Sequence, residues 1–375
     1  MKNYFFVIIL LGLLFSCETD FELNAPYKTT PVVYGLLDQS VDTQFIKINK
    51  SFLGDGNNVD YAAINDCTLF DSLIAVIEAY DISNNLMYQD TLKEIWVSDL
   101  NDGIFYEEEQ KLYYFSTLND PLNDEYEYHL KANAPVHGLS FSALTSLIDN
   151  GGENSTTNYL FRTNLLNGLR LNGIRFVNKV EIAEDNYVDQ MFSWKSSNNG
   201  ERYELLMKFH FNEHLEDGSV NPSYVTWNLG TQKSYDANYK NEFEKTISGS
   251  AFYDMVASRL NNYNHLKDKE YDESQVVKRT FDDKPLEFIL TVCNATLSTY
   301  MEVNEPVTGI VTEKPAFTNV ENGIGIFASK YHCAEFFEIQ RGTILELCLG
   351  TKTSGFKFCY ELVSDIEGYN VGCPQ

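Results

Sequence analysis

In the stretch Tyr203-Glu204-Leu205-Leu206-Met207-Lys208-Phe209-His210-Phe211, large apolar side chains recur at every second position. This period of two is typical of a β-strand that buries one face and exposes the other. The segment 224–229 is a candidate partner strand. Aromatic residues make up 14% of the 375-residue chain and also favour strands. We therefore expect a mainly β fold.

Short strands are also predicted on the N-terminal side of this stretch. They cover residues 31–37, 43–50, 72–80, 86–98, 104–116, 125–132 and 138–145. Turn residues such as Asn101-Asp102-Gly103 separate them. Many short strands at such intervals predict an immunoglobulin- or fibronectin-like sandwich over residues 28–148. The polar run Asp149-Asn150-Gly151-Gly152-Glu153-Asn154-Ser155 is the expected linker.

A larger β-rich domain with one or two helices is expected over residues 157–375. Its predicted strands cover 173–180, 191–194 and 286–292, and a hairpin is predicted from 343–349 and 356–362. One helix is predicted where apolar residues recur at helical spacing after Ser248 or Ser250, either of which can cap it. Those apolar residues are Phe252, Met255, Val256, Leu260 and Tyr263.

The N-terminus has the pattern of a secretory signal with a lipid attachment site. Lys2 precedes an apolar run that is shorter than the roughly 20 residues a membrane-spanning helix needs. Leu14-Phe15-Ser16-Cys17 looks like a bacterial lipobox, with Leu three residues before the cysteine and Ser one before it. We expect residues 1–16 to be a signal peptide, Cys17 to be lipidated, and residues 17–27 to form the tether.

The chain carries a net charge of −26, which limits the kinds of partner that it can bind. Nucleic acid and anionic lipid head groups would repel such a chain, so we expect no nucleic-acid partner and membrane attachment through acyl chains alone. Glu18, Asp20 and Glu22 follow the predicted lipidated cysteine. They fit a surface-export signal or a plain acidic tether, so the cell surface and the periplasmic face both stay open.

Six cysteines follow Cys17, and five of them lie in the last third of the chain. Exported proteins form disulfides, and six cysteines allow 15 pairings. Any bridges should therefore join segments near the C-terminus, although buried free thiols are an equal alternative. No two cysteines of the chain are separated by two residues, as in Cys-x-x-Cys, which argues against a structural zinc site and a thioredoxin-type redox pair.

His210-Phe211-Asn212-Glu213-His214 matches an inverted zinc-protease pattern, which requires a helix to bring both histidines to one metal. On the predicted strand the two histidines would lie roughly 13 Å apart. No nucleophile elbow of the serine hydrolases is present, and His332 and Cys333 would point to opposite faces of a strand. Acidic loops at 55–60 and 99–103 lack the full calcium-loop pattern. We expect no catalytic residues, no metal, no cofactor and no enzymatic activity.

Two stretches resemble a known family. The first runs Tyr27-Lys28-Thr29-Thr30-Pro31-Val32-Val33-Tyr34-Gly35-Leu36-Leu37-Asp38-Gln39 and continues at 44–54. The second begins at 300 and ends Thr318-Asn319-Val320-Glu321-Asn322-Gly323-Ile324-Gly325-Ile326-Phe327-Ala328-Ser329. Both resemble an uncharacterised Bacteroidota lipoprotein family, Domain of Unknown Function 4249. Many members end in a cysteine pair near a glycine-rich tail, whereas this chain ends Gly372-Cys373-Pro374-Gln375.

The resemblance implies a mostly β lipoprotein of the outer membrane with no established activity. Genes of this family resemble accessory partners of TonB-dependent transporters. A turn with positive φ is expected at Asn322-Gly323-Ile324-Gly325. This turn is a candidate partner-docking loop, and a plain packing corner is the alternative. The residues of the candidate loop are Asn319, Asn322, Gly323, Gly325 and Phe327.

Two short motifs and the tryptophan residues suggest contact with glycans. Asp71-Ser72-Leu73 and Asp90-Thr91-Leu92 resemble the Bacteroidota O-glycosylation pattern, which makes Ser72 and Thr91 candidate modification sites if they are exposed. Exposed aromatic rings can also stack on sugars, and Trp96, Trp194 and Trp227 are the tryptophans to place. Most of the aromatic residues alternate within strands and should lie in the core.

Three functions remain. The first is a lipid-anchored accessory or docking subunit of an outer-membrane complex, with a TonB-dependent transporter as the expected partner. The second is a surface glycan-binding lipoprotein. The third is a hydrolase that uses zinc at His210 and His214, which requires a helix where the pattern predicts a strand.

Overall fold

The computed structural model describes residues 28–52, 61–62, 64–98, 109–149, 173–183, 186–234, 241–262, 269–305 and 316–374. The predicted signal peptide, Cys17 and the tether lie outside the described residues. The acidic loops 55–60 and 99–103 and all but the first residue of the predicted linker also lie outside them. The described part is mainly β structure in several sheets, which confirms the expected fold class.

The described residues form eighteen strands and four α-helices. The strands are β1 (Pro31–Asp38), β2 (Thr43–Lys50), β3 (Ile74–Tyr80), β4 (Leu86–Thr91), β5 (Lys93–Val97), β6 (Gln110–Ser116), β7 (Glu127–Ala134), β8 (Leu139–Ser146), β9 (Gln190–Lys195), β10 (Arg202–Leu215), β11 (Val220–Lys233), β12 (Glu242–Ile247), β13 (Val276–Thr280), β14 (Leu286–Cys293), β15 (Val320–Glu321), β16 (Ile324–Phe337), β17 (Asp365–Ile366) and β18 (Tyr369–Asn370). The helices are α1 (Asn65–Thr68), α2 (Gly249–Asn261), α3 (Ala295–Asn304) and α4 (Arg341–Leu349).

The N-terminal strands form two layers around one core. One layer is the five-stranded sheet β15-β8-β7-β3-β4, and the other contains β1, β2, β6 and β5. The inward side chains of both layers pack together, and Val33, Ile46, Ile77, Phe115 and Leu130 are fully or almost fully buried in this core. Two sheets joined by alternating inward residues make a β-sandwich.

Strand β16 connects this sandwich to the C-terminal strands. Between Ile324 and Lys330 it pairs in parallel with β1, and from Lys330 to Phe337 it pairs antiparallel with β14. Lys330 is opposite Asp38 on one side and Cys293 on the other. One nine-stranded sheet therefore contains strands from both predicted domains, in the order β11-β10-β14-β16-β1-β2-β6-β5, with β13 also paired to β10. The boundary at 149–156 stays a prediction.

The alternating stretch in β10 supplies the centre of the second core. Tyr203, Leu205, Met207, Phe209 and Phe211 are all buried, as the period of two predicts. They pack with α2, α4 and the two-stranded sheet β12-β9. Helix α2 confirms the predicted helix. Its N-cap residue is Ser248, whose side chain makes no capping hydrogen bond.

The hairpin predicted from 343–349 and 356–362 is wrong. Residues 341–349 form α4, and its residues from Gly342 to Cys348 are all buried. A helix buried on every side has no polar face, so its sequence lacks the helical period and resembles a buried strand. Residues 354–356 form one 3₁₀ turn. The strand predicted at 173–180 is reduced to isolated bridges at Ile174 and Val177.

One disulfide joins the C-terminal segments, as the cysteine positions predict. Cys359 is bonded to Cys373, fourteen residues further along the chain. Cys67, Cys293, Cys333 and Cys348 are free thiols.

Candidate functional site

Strand β1 is apolar on both faces. Val33 and Leu37 point into the sandwich core and are fully buried. The opposite face carries Tyr34 and Leu36, which are 47% and 37% exposed. A sandwich strand normally places polar side chains on its outward face, so these two apolar side chains require another explanation.

The two stretches that carry the family resemblance meet on this outward face. In the parallel pairing of β1 with β16, Tyr34 is opposite Ile326 and Leu36 is opposite Ala328. On the other side of β1, the outward face of β2 presents Phe45, which is 46% exposed and packs against the ring of Tyr114. Residues almost 300 positions apart in sequence thus form one apolar surface.

Helix α3 covers one side of this surface. The side chain of Asn294 accepts a hydrogen bond from the amide of Leu297 at 3.0 Å and so caps the helix. Its amide group also donates to Thr145 Oγ1 at 2.9 Å, which ties the helix start to β8. Leu297 then packs on Ile326 and Ala328.

Tyr300 lies one turn further along α3 and faces β1. Burial raises the pKa of Tyr300, and its hydrogen bond to Tyr34 raises it further. Helix and strand therefore meet through two hydroxyl groups at the edge of the exposed surface.

A groove of about 450 Å³ remains between α3 and β2. Its apolar lining includes Tyr34, Leu36, Phe45, Leu297, Tyr300 and Ile326. One end is polar, because Lys330 Nζ lies 3.5 Å from the buried carboxylate of Asp38. We call this feature the β1–α3 groove.

The groove has the chemistry of a binding surface. Its polar end offers the carboxylate of Asp38 and the ammonium group of Lys330, which already pair with each other. Thr43 and Gln44 add polar side chains to a lining that is otherwise mostly apolar. Across the described ranges, no three His, Cys, Asp or Glu residues cluster as metal ligands. An exposed apolar surface rimmed by polar groups is typical of sites that bind a partner.

The candidate docking loop is a well-packed corner beside the groove. Phe327 is fully buried, and the side chain of Asn319 bonds to both its backbone amide and its carbonyl, at 2.9 and 2.6 Å. Asn322 has a left-handed φ of 57°, as expected for the turn. Gly323 and Gly325 pack closely against β1, where added Cβ atoms would lie 3.0 Å from the Pro31 carbonyl oxygen and 2.0 Å from that of Val33. A docking role for the loop stays a prediction.

The zinc-protease pattern lies within β10, as its alternation predicts. His210 Nε2 is 2.7 Å from Glu287 Oε2, and His214 Nε2 is 2.9 Å from Thr280 Oγ1. Burial lowers the pKa of His214, with the charge of Lys278 as a second cause. Glu213 lies on the other face of the strand and is fully buried. The three residues of the pattern therefore do not converge on one point.

The remaining predicted positions are dispersed. Thr91 is exposed at the end of β4 and Ser72 is half-buried before β3, so both stay predicted glycosylation sites. Among the tryptophans, Trp96 is exposed, Trp227 is half-buried and Trp194 is buried. The tryptophans thus form no exposed pair.

Comparisons with known proteins do not assign the chain to a family. No family model and no curated protein matches the chain. Nine chains among the solved structures show similarity, and one of them is the C-terminal globular domain of an oligosaccharyltransferase from Pyrococcus abyssi, at 11% identity and a TM-score of 0.24. The match covers 71% of this chain and 49% of that one, so the chain spans about half the length of that domain. Within the described residues, no helix combines the length and apolar character needed to cross a membrane.

Proposed function

We propose that this protein is an outer-membrane lipoprotein, anchored through Cys17, that acts as a non-enzymatic accessory subunit. It docks onto an envelope protein through the β1–α3 groove, and a TonB-dependent transporter is the first partner to test. The observation that carries this proposal is the exposure of Tyr34, Leu36 and Phe45 around one groove.

The energetics of the groove support a partner. Apolar surface left in water costs about 25 cal/mol per Å², and the outward positions of β1 could hold polar residues without disturbing the core. A partner with an apolar segment would cover the three exposed side chains. The charge pair of Asp38 and Lys330 at one end would then orient that segment.

The disulfide supports export. Bonds such as the one between Cys359 and Cys373 persist in oxidising compartments and are rare in the cytosol. This fits the predicted secretory signal at residues 1–16 and the family resemblance. It also leaves the choice between the cell surface and the periplasmic face open.

A pull-down tests the docking role. The full-length lipoprotein, tagged at its C-terminus, is extracted from outer membranes in mild detergent, and the co-purifying proteins are identified. We expect a stoichiometric partner with the wild-type protein and its loss with Leu36→Glu. Ile82→Glu is the matched control, because Ile82 is fully exposed and lies outside the groove. A wild-type protein that purifies alone would overturn the docking role.

The anchor has its own test. We expect the wild-type protein to incorporate radiolabelled palmitate and to fractionate with outer membranes, and Cys17→Ser to do neither. Incorporation of label into Cys17→Ser would place the lipid elsewhere and contradict the assignment of the anchor.

A further inference from the structure

A second exposed surface lies on the C-terminal part of the nine-stranded sheet. Three rings from three strands form a row: Tyr224 of β11, His210 of β10 and Phe336 of β16. The imidazole lies between the other two, with ring centres 5.6 Å from Tyr224 and 5.8 Å from Phe336. Tyr224 and Phe336 are 50% and 52% exposed.

Two charged side chains lie beside these rings on the same face of the sheet. Glu287 Oε2 is 2.7 Å from His210 Nε2 and 3.6 Å from Lys208 Nζ. Lys208 Nζ in turn lies 5.0 Å from the centre of the Tyr224 ring. One carboxylate and one ammonium group balance each other here, on a chain whose net charge is −26. We call this surface the aromatic platform: Lys208, His210, Tyr224, Glu287 and Phe336.

We propose that the aromatic platform binds a neutral polysaccharide. The C–H faces of sugar rings pack on exposed aromatic rings, while their hydroxyl groups bond to nearby polar side chains. Tyr224 and Phe336 supply two such rings on one side of the sheet. Near these rings, Glu287 can accept hydrogen bonds from sugar hydroxyl groups, and Lys208 and His210 can donate hydrogen bonds to them.

The local charge favours a neutral ligand over a charged one. A phosphate-bearing ligand would be attracted by Lys208 but repelled by Glu287 and by the acidic chain as a whole. The platform also differs from the β1–α3 groove, whose lining is mostly apolar. The two surfaces use different parts of β16 and share no residue, so this proposal is independent of the docking role.

Affinity gel electrophoresis of the detergent-purified full-length lipoprotein tests the proposal. The probes are dextran, soluble starch, xylan and galactomannan, each cast in a native gel. We expect at least one of them to retard the wild-type protein. Tyr224→Ala and Phe336→Ala should weaken that binding about tenfold each, which corresponds to the loss of one aromatic contact. Tyr224→Phe keeps the ring and should keep most of the binding.

The matched control is Trp96→Ala, because Trp96 is 47% exposed but lies on β5, far along the sheet order from the platform. Binding should survive this change, and thermal unfolding of every variant should match that of the wild type. Leu36→Glu should also bind the polysaccharide normally, which separates the platform from the docking groove.

Three results would overturn the proposal. One is that none of the four polysaccharides retards the wild-type protein. Another is that Trp96→Ala weakens binding as much as Tyr224→Ala does. The third is that Tyr224→Ala loses a co-purifying protein while polysaccharide binding is unchanged, because the platform would then be a protein interface.

Discussion

Arg279 and Glu213 form an ion pair in which both side chains are completely buried. Nε and Nη2 of Arg279 donate to Oε1 of Glu213 at 3.0 and 2.9 Å. The other carboxylate oxygen accepts from the hydroxyl of Tyr271 at 2.7 Å and from Lys269 Nζ at 3.0 Å. Arg279 also bonds to Glu273, which completes a buried network below the surface of β10.

Glu213→Gln should destabilise the protein strongly. The change leaves the two cations Arg279 and Lys269 with Glu273 as their remaining carboxylate, and breaking a buried pair from one side costs about 3–5 kcal/mol. The free energy of unfolding, measured in urea, checks this. Glu361→Gln is the control, because it breaks a pair with Lys278 on the surface and should cost less than about 1 kcal/mol. Equal losses from the two variants would contradict the structural role of the network.

Gly325→Ala should prevent normal pairing of β1 with β16. Gly325 has a φ of 107°, and an added Cβ would lie 2.0 Å from the carbonyl oxygen of Val33. We expect a loss of more than about 3 kcal/mol or no soluble protein, since backbone must move to relieve the clash. Gly138→Ala is the control: its φ is also positive, at 63°, but nothing lies within 4 Å, so the cost should be about 1–2 kcal/mol. A soluble Gly325→Ala variant of unchanged stability would refute the close approach.

Cys359→Ser should lower the stability of the C-terminal segment by about 3 kcal/mol, the expected value for a loop of roughly 15 residues. A reducing agent should destabilise the wild type by a similar amount and leave the variant unchanged. The control is Cys67→Ser, since Cys67 is a free thiol and its loss should not remove the response to reductant. A wild type that does not respond to reductant would contradict the bridge.

The fold class was predictable because β10 is amphipathic over most of its length. Its inward residues alternate without interruption from Tyr203 to Phe211, and a strand period of that length has few other interpretations. Helix α4 was not predictable in this way. Because it is buried on all sides, it has no polar face, and its sequence therefore lacks the 3.6-residue period of an amphipathic helix. The pairing of Glu213 with Arg279 was hidden as well, since 66 residues separate them.

Both proposed binding surfaces depend on strand pairings that local sequence patterns do not contain. The β1–α3 groove requires Tyr34 and Ile326 to be neighbours, and the aromatic platform requires Tyr224, His210 and Phe336 to share one face. The one available signal for the groove was the apolar outward face of β1, which breaks the alternation expected of a sandwich strand. For the platform, the sequence offered tryptophans as candidate sugar-stacking residues, and of the three only Trp96 is exposed.

Glu346 is buried in α4. Its Oε1 accepts a hydrogen bond from the Tyr187 hydroxyl at 2.9 Å, while its Oε2 has no partner among the described residues. Burial raises the pKa of Glu346 above the usual value of 4.5, although the bond from Tyr187 and the charge of Lys352 act in the other direction. The folded protein therefore holds this proton at a pH where the unfolded chain has lost it.

The sign of the pH dependence follows from this shift. A carboxyl group with a raised pKa in the folded state contributes its full stability below the unfolded pKa, and the contribution is lost as pH rises through the folded value. Glu346→Gln cannot ionise and keeps an acceptor for Tyr187. We expect the variant to unfold at a higher temperature than the wild type at pH 8 and the difference to shrink as pH falls toward 4.5. Thermal unfolding of both proteins across this range, with Glu361→Gln as the exposed-carboxylate control, measures it. A variant that is less stable than the wild type at pH 8 would contradict this prediction. It would show that the hydrogen bond from Tyr187 and the charge of Lys352 stabilise the ionised carboxylate in the folded protein.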